Sequence, residues 1–388
     1  MRDLSSSGLR AAVVALLAVN GLGVGFGLAR EEPDHPAPRL APAATADHGG
    51  SAPAPVAPAV QSAADRFLDG YVAPDGRVVR RDQGDDTVSE GQAYAMLVAV
   101  GVGHRATFDQ VWHWTREHLQ RDDGLLSWRW AEGEVRDPQP AADADLDAAW
   151  ALAVAARRWP EGGYGDAARS LAEAIDRLET TTIADRRVLL AGPWAAHVPE
   201  AGGAVVVNPS YASPVADAVL AAGDVATGAT TEARRTGNRS VVADLMAERA
   251  TPTDWAWVAP SGDVQPADAP TRSGGGAFGW DAIRVPLQLA ASCDPADRQL
   301  AAELWPAMVF GAGVDRMGDH PARLVGAAAA AAAHGDDQRS ASLLAEALRQ
   351  DEDHPSYYGA ALNALGALLL RSDALGGCPL LAVSAPAG

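Results

Sequence analysis

Lysine is absent from this 388-residue chain, and all 31 of its basic side chains are arginine. Schiff-base chemistry and the phosphate-binding lysine of a P-loop are therefore excluded. No Gly-x-Ser-x-Gly segment occurs either, so a serine hydrolase of the nucleophile-elbow type has no support. The formal net charge of −19 makes nucleic acid an unfavourable partner, because neutralising phosphates requires clustered cations. An acidic surface remains compatible with a neutral polymer or a small molecule.

Cysteine is also scarce, with only Cys293 and Cys378. Two cysteines do not make a zinc site by themselves, and the nine histidines are scattered without metal-ligand spacing, so we expect no metal. In an exported protein a single cysteine pair is more often bridged than free, which predicts one disulfide. The alternative is two isolated buried thiols, since cysteine is also a common core residue.

The N-terminus carries a targeting pattern. An apolar stretch occupies residues 11–29 behind Arg2 and Arg10, and mostly acidic residues follow it. This charge order predicts export of everything downstream. Residues 1–30 fit either a cleaved signal peptide or a retained anchor, and the Pro/Ala-rich residues 31–57 fit an extended linker. The expected location is secreted or anchored to the outer face of the cytoplasmic membrane, with membrane contact only through the N-terminal segment.

From residue 59 onward, apolar residues recur at helical spacing and predict about a dozen helices. Only residues 188–190 and 205–207 have the character of short strands. Without heptads or a short repeat, this pattern favours one all-α domain over residues 58–375, followed by a tail at 376–388. A toroid of six helical hairpins, (α/α)6, whose inner helices are buried on both faces, is one arrangement that fits this pattern, and we expect a monomer. The Ala-rich residues 326–333 suit an inner helix, and longer loops at one end would form a cleft.

Tryptophan is abundant and phenylalanine scarce, with 11 and 5 residues respectively. Most tryptophans are expected to pack in the core. Trp128, Trp130 and Trp255 lie beside polar or charged residues, which suits an aromatic ring that stacks on a sugar.

Three separated acidic segments are the candidate chemical groups. Glu90 lies at a probable helix start, where it is either half of a capping box or a carboxylic acid at the cleft end of a buried helix. Asp143, Asp145 and Asp147 open another helix, where the helix dipole favours acids, but three in alternation exceed what capping needs. Their carboxylates would accept hydrogen bonds from sugar hydroxyls. The segment lacks the glycine and the distal glutamate of a calcium-binding loop.

The third acidic segment holds Asp281 and Arg284, three residues apart on a presumed helix. A surface ion pair is one interpretation. Apolar neighbours at 280, 283, 285 and 287 favour another, in which an ionised aspartate holds a water molecule as a base. The Asn-Pro-Ser-Tyr segment at 208–211 is a helix-start signal, from which Tyr211 would reach a cleft.

These segments together resemble the motifs of glycoside hydrolase family 8, in the same order. The matching segments are Ser-Glu-Gly-Gln-Ala-Tyr-Ala-Met at 89–96, Asp-Ala-Asp at 143–145, Asn-Pro-Ser-Tyr at 208–211, Asp-Trp at 254–255 and Trp-Asp-Ala-Ile-Arg at 280–284. The similarity spans residues from about 60 to 372. It implies the six-hairpin toroid and inversion of anomeric configuration. Ala95 stands where the family more often has glycine, and Trp280 where tyrosine is usual.

The resemblance also implies a role for each matching residue. Glu90 matches the proton donor, Asp281 the base that activates water, and Asp143 the residue that holds a distorted sugar. Asp145, Tyr211 and Arg284 match cleft positions, and Tyr94 is a further substrate-binding candidate in the first segment.

The predicted function is an inverting endo-β-1,4-glucanase that acts on cellulose-like β-glucan and needs no cofactor. One alternative is the same mechanism on chitosan, xylan or mixed-linkage glucan. Another is a non-catalytic glucan-binding component of a polysaccharide export system, although a pure binder needs neither an acid nor a base.

Overall fold

The computed structural model describes residues 56–196, 203–268, 276–310, 317–318 and 320–381. The predicted targeting segment and nearly all of the predicted linker lie outside the described residues, so the interpretation of both stays a prediction. Within the described part of the chain, no helix is long and apolar enough to cross a membrane.

Helices dominate the described residues. They are α1 Pro58–Tyr71, α2 Ser89–Val102, α3 Arg105–His118, α4 Ala142–Arg158, α5 Tyr164–Leu178, α6 Pro214–Ala222, α7 Gly228–Arg249, α8 Val285–Ala290, α9 Pro295–Glu303, α10 Trp305–Phe310, α11 Pro321–His334, α12 Asp337–Asp353 and α13 Tyr357–Arg371. Short 3-10 helices at Pro209–Tyr211 and Ala282–Arg284 precede α6 and α8.

The helices form two concentric rings. In the inner ring α2, α4, α6, α8, α11 and α13 contact one another in that order, and α13 returns to α2 to close it. The outer helices α1, α3, α5, α7, α9 and α12 each pack on the inner helix next to them in the chain. Apart from the short α10, which packs on α11 and α9, outer and inner helices therefore alternate along the sequence, and the predicted toroid of six hairpins is confirmed.

Side-chain size and polarity assign each helix to its ring. Inner helix α4 is buried at every residue from 142 to 155, and α11 presents a run of alanines whose small side chains allow close packing on both faces. Outer helix α5 buries only one face, including Tyr164, Leu171 and Ile175. A helix with one apolar stripe suits a surface position, whereas a helix that is apolar all round must be enclosed.

Short strands lie in the connections that lead from an outer helix to the next inner helix. The strands are β1 Thr87–Val88, β2 Arg129–Ala131, β3 Glu134–Asp137, β4 Thr180–Ile183, β5 Arg186–Leu189, β6 Val205–Val207, β7 Ala256–Val258 and β8 Val264–Pro266. They pair antiparallel in the orders β1-β2-β3, β4-β5 and β6-β7-β8. Because all inner helices run in one direction, these connections gather at the rim where the inner helices begin.

The two predicted strands are confirmed as β5 and β6, although Leu190 lies just outside β5. The other six strands were missed because they are only two to four residues long and, in β1 to β4, contain threonine or charged residues. Two helix predictions were also inaccurate at their boundaries. Apolar spacing predicts helices near 238–249 and 297–309. Helix α7 instead begins at Gly228, because its first half is helical but polar, and the second segment is divided into α9 and α10 just before Pro306, which has no N–H to continue the helical hydrogen bonds.

The predicted disulfide between Cys293 and Cys378 is confirmed, with their Cα atoms 5.1 Å apart. It ties the tail after α13 to the connection between α8 and α9. The Cys378 amide donates to the carbonyl of Ala291 at 3.0 Å, and the Trp150 indole N–H donates to the carbonyl of Leu375 at 2.8 Å. Residues 372–381 are thereby fixed against the ends of the inner helices that face away from the strand-bearing rim.

Replacing both cysteines by serine is expected to lower the free energy of unfolding by roughly 2–4 kcal/mol, because the unfolded chain would lose an 85-residue constraint. Urea unfolding of the parent and of the Cys293→Ser/Cys378→Ser variant measures the difference. Adding dithiothreitol should destabilise the parent and leave the variant unchanged. Equal midpoints without reductant would contradict the expectation.

Candidate active site

The separated acidic segments meet around one guanidinium at the strand-bearing rim. Arg284, at the end of the 3-10 helix before α8, donates from Nη1 to Glu90 and from Nη2 to Asp143 and Asp281, the last two at 3.3 Å. The Arg284 side chain is 4% exposed, whereas those of Glu90 and Asp281 are 18% and 25% exposed. The carboxylates therefore open to solvent above a buried cation.

Glu90 is not a capping residue in the structure. The N-cap of α2 is Val88, which offers no side-chain oxygen, and the Ser89 hydroxyl has no hydrogen-bond partner among the described residues. Glu90 instead accepts from the Tyr94 hydroxyl, one turn along α2, at 3.0 Å as well as from Arg284. A Cβ at Gly91 would lie 2.7 Å from the Tyr357 hydroxyl, so glycine is needed for α2 to begin this close to α13.

Asp281 is held from three directions. The Asn208 side-chain amide donates to its Oδ2 at 3.0 Å, and Arg284 donates to its Oδ1. Behind it, the Asp254 carboxylate accepts the backbone N–H groups of Asp281 at 3.2 Å and of Ala282 at 2.8 Å. Asp281 thus faces the cleft with both of its oxygens engaged by neutral or cationic donors.

Arg284 is fixed by neutral groups as well as by the carboxylates. The Ser210 hydroxyl accepts from its Nε at 3.2 Å and from its Nη2 at 2.7 Å, and its Nη1 reaches the Tyr94 hydroxyl at 3.1 Å. The guanidinium carbon lies 5.6 Å from the centre of the Tyr211 ring, a cation–π distance. These contacts with neutral groups hold Arg284 in place in addition to its three ion pairs.

Two carboxyl groups of the site have raised pKa values. Burial, together with the nearby charges of Glu90 and Asp281, raises the pKa of Asp143 to about 7, although the positive charge of Arg284 lowers it. Burial and the charge of Asp281 raise the pKa of Asp254 to about 6. Both groups therefore change charge close to neutral pH, which is a property of acid–base sites.

The remaining predicted site residues lie at varying distances from this centre. Asp145 is fully buried away from Arg284, where its Oδ1 accepts the N–H of Leu126 at 2.8 Å, and burial raises its pKa. Trp255 packs against Tyr211 with ring centroids 6.0 Å apart and so borders the site. Trp130 packs on Trp114 in the hairpin of β2 and β3.

Trp128 lies closer to Glu90 along the backbone. Its carbonyl accepts the N–H of Ser89 at 2.9 Å, and its ring is 37% exposed beside the start of α2. The structure therefore brings together Glu90, Tyr94, Asp143, Tyr211, Asp281 and Arg284, with Trp128 and Trp255 at the edges.

Sequence reasoning gave no role to Asn208, Ser210, Asp254 or Tyr358. The first two lie in the segment interpreted as a helix start, and their side chains hold Asp281 and Arg284 respectively. Tyr358 donates its hydroxyl to the carbonyl of Trp280 at 2.6 Å, which fixes the residue before Asp281. Asp254 had one signal, its position in the Asp-Trp segment of the family resemblance.

Asp147 lies one helical turn deeper in the barrel than Asp143. Its carboxyl is 5% exposed and makes no hydrogen bond or ion pair within the described residues, and it lines a small cavity beneath Arg284 with Gln288 and several leucines. Burial, and secondarily the charge of Asp143, raise the pKa of Asp147 well above its usual range. An ionised carboxylate would be costly there, so the group is held neutral.

Asp147→Leu is expected to stabilise the protein by about 1–3 kcal/mol at neutral pH, because it removes a buried polar group without a partner. The unfolded chain ionises Asp147 above about pH 4 while the folded chain keeps the proton, so the parent loses stability as pH rises from that point. The advantage of the variant should therefore grow between pH 4 and pH 8 in thermal unfolding. Asp69→Asn, at an exposed position, is the control, and a constant or negative difference for Asp147→Leu would contradict the expectation.

No group of three or more His, Cys, Asp or Glu side chains in the described ranges is arranged to hold a metal ion.

Known proteins resemble this chain over most of its length. The model of the family described as glycosyl hydrolases family 8 matches residues 52–368. A probable endoglucanase of Novacetimonas hansenii is 35% identical over 247 residues, covering 61% of this chain and 67% of that protein. The endoglucanase of Cellulomonas uda is 28% identical over 236 residues, covering 59% and 63%. The match thus spans about two thirds of the length of these two relatives.

Among solved structures, an endoglucanase of Klebsiella pneumoniae described as a family 8 glycosyl hydrolase has a TM-score of 0.63 at 25% identity. The superposition covers 79% of this chain and 98% of that one.

Proposed function

Because the chain belongs to glycosyl hydrolase family 8, we propose that it is an inverting endo-β-1,4-glucanase in which Glu90 is the general acid and Asp281 the general base. The observation that carries the proposal is the placement of these two carboxylates on different nitrogens of Arg284, at the solvent-open rim of the barrel. Inversion requires two carboxyl groups on opposite sides of the scissile bond, roughly 6.5–9.5 Å apart in the substrate complex, with room for a water molecule.

The acid step begins at Glu90. Its carboxyl proton passes to the glycosidic oxygen as the bond from that oxygen to the anomeric carbon breaks. The Tyr94 hydroxyl and the Arg284 guanidinium, which both contact Glu90 Oε1, stabilise the carboxylate that remains. Glu90 must take up a proton before the next turnover, and Arg284 then gives up its ion pair with Glu90 while its Nη2 still donates to Asp143, Ser210 and Asp281.

The base step takes place at Asp281. A water molecule attacks the anomeric carbon from the face opposite the leaving group and gives a proton to the Asp281 carboxylate. Asn208 orients this carboxylate from one side, and Arg284 from the other. Asp143, whose pKa of about 7 lets it either donate or accept a hydrogen bond near neutrality, would hold the hydroxyls of the sugar being cleaved.

We also propose that the enzyme is exported, as a secreted protein or on an N-terminal anchor, because an insoluble or nascent polymer is met outside the cytoplasm. The support is the charge order around residues 11–29. Fusing a reporter that is active only outside the cytoplasm after residue 60 tests this topology. An inactive fusion found in the cytoplasm would overturn it.

Chitosan is the second candidate substrate, since the net charge of −19 favours a cationic polymer. Purified protein should release reducing ends from carboxymethylcellulose faster than from chitosan, xylan or mixed-linkage glucan. Proton NMR of the first products from a β-linked cello-oligosaccharide should show the α-anomer before mutarotation. If reducing ends were released from chitosan alone, chitosan would replace β-glucan as the proposed substrate. First products in the β-anomeric form would overturn the single-displacement mechanism.

A further inference from the structure

The base candidate Asp281 occupies the N-cap position of the 3-10 helix Ala282–Arg284, yet its side chain makes no capping hydrogen bond. An aspartate at an N-cap ordinarily folds its carboxylate back onto the first free N–H groups of the helix. A carboxylate used in that way would be turned from the cleft and would have its lone pairs occupied. Another group must therefore satisfy the free N–H donors at this turn.

Asp254 supplies that group from the first part of the same connection between α7 and α8, two residues before β7 begins at Ala256. Its Oδ1 accepts the N–H of Ala282 at 2.8 Å and the N–H of Asp281 itself at 3.2 Å. The backbone of Asp254 is in turn anchored by its N–H to the carbonyl of Ala277 at 2.9 Å. A Cβ at Gly279 would lie 2.4 Å from Asp254 Oδ2, so only glycine leaves space for the carboxylate to reach the turn.

We propose that Asp254 is a positioning residue for the hydrolysis reaction, which caps the turn before α8 in place of Asp281 and, when ionised, strengthens Asp281 as a base. This inference rests on the proposed function, because it takes Asp281 as the group that accepts the proton of water. Asp254 does not touch the reacting atoms in this arrangement. It acts by directing the Asp281 carboxylate into the cleft and by adding a negative charge behind it.

The charges around Asp254 are consistent with the second role. The groups that act on it are Asp281 and Arg284 from the 3-10 helix and Tyr358 from α13. Burial and the charge of Asp281 hold its pKa at about 6, so Asp254 ionises as the solution passes from mildly acidic to neutral. The ionised Asp254 carboxylate would lie directly behind Asp281, and a negative charge in that position favours movement of a proton from water to Asp281.

Two substitutions separate the cap from the charge. Asp254→Asn keeps an oxygen that accepts both N–H groups but removes the charge. Its kcat on a soluble cello-oligosaccharide should fall several-fold at pH 7.5, and the deficit should shrink towards pH 5, where Asp254 of the parent is protonated. Asp254→Ala removes the cap as well and should lower kcat about 10–100-fold at both pH values, with KM little changed because no substrate contact is lost.

Asp263→Asn, at the turn between β7 and β8, is the matched control and should reproduce the parent profile. Titration of Asp143 would appear equally in the parent and in Asp254→Asn, so only the difference between their profiles reports Asp254. If Asp254→Ala does not fold, as judged by circular dichroism, the Asn comparison alone decides. A deficit of Asp254→Asn that is the same from pH 5 to pH 7.5, or no deficit, overturns the inference.

Failure of this inference differs from failure of the proposed function. A parent protein that releases no reducing ends from any β-glucan, or an Asp281→Asn variant as active as the parent, would overturn the function itself. An active parent that depends on Asp281 but has an unaltered pH profile in Asp254→Asn overturns only the role of Asp254.

Discussion

Glu90→Gln should lower kcat on carboxymethylcellulose by about 10²–10⁴-fold, the range that a positioned general acid contributes. Glutamine keeps the shape of the side chain and still accepts from Tyr94 and Arg284, but it has no proton to give to the leaving oxygen. The fold should be preserved, because this carboxylate caps no helix. Reducing-end release under saturating substrate measures the loss.

A substrate whose leaving group needs no proton should partly rescue Glu90→Gln. An aryl cellobioside with a strongly acidic phenol is such a substrate, and the rate ratio of parent to variant should shrink on it. Glu173→Gln, at an exposed position on α5, is the control for the chemical change alone. Activity of Glu90→Gln within a few-fold of the parent on the polymer would remove Glu90 from the acid role.

Asp281→Asn should cause a comparable loss, because an amide cannot take the proton of the attacking water. The contact from Asn208 Nδ2 would meet an amide in place of a carboxylate oxygen, which changes one hydrogen bond and leaves the position of the backbone intact. Steady-state rates of reducing-end release from carboxymethylcellulose measure the loss.

The two variants should differ in their response to the leaving group. An activated aryl glycoside should not rescue Asp281→Asn, because the step that is lost is attack by water and not departure of the alcohol. Asp69→Asn, exposed on α1, serves as the control. If Asp281→Asn were rescued as strongly as Glu90→Gln, the assignment of acid and base to these two residues would have to be revised.

The fold could be predicted from the sequence because the burial of each helix in the double ring determines the pattern of apolar residues along that helix. An inner helix such as α4 or α11 is apolar or small at nearly every position, and an outer helix such as α5 has one apolar stripe. Most strands of the rim, in contrast, have no distinctive local sequence pattern. The pairing of Thr87 with Trp130, for example, depends on contact between distant segments and not on the pattern of either.

The site could be predicted only in part for the same reason. Glu90, Asp143 and Asp281 stood out as acids near helix starts, and the family resemblance implied a role for each of them. Arg284 was expected merely to line the cleft, because the sequence does not reveal that it contacts carboxylates of two distant helices, α2 and α4, as well as that of the nearby Asp281. The support that Asn208 and Asp254 give to Asp281 crosses 73 and 27 residues of sequence, a separation over which no local pattern exists.

The bridge between Cys293 and Cys378 encloses α9 to α13, which include two helices of the inner ring. A protease that cuts once anywhere inside this 85-residue loop leaves both products joined through sulfur. Such a nicked molecule should migrate as one band without reductant and as two with it. Because the cut ends stay tethered, the severed helices retain a high local concentration for their partners in the ring, so a nick need not abolish the cleft. In an extracellular setting with abundant proteases, the bridge would thus extend the working life of the enzyme beyond its first cleavage.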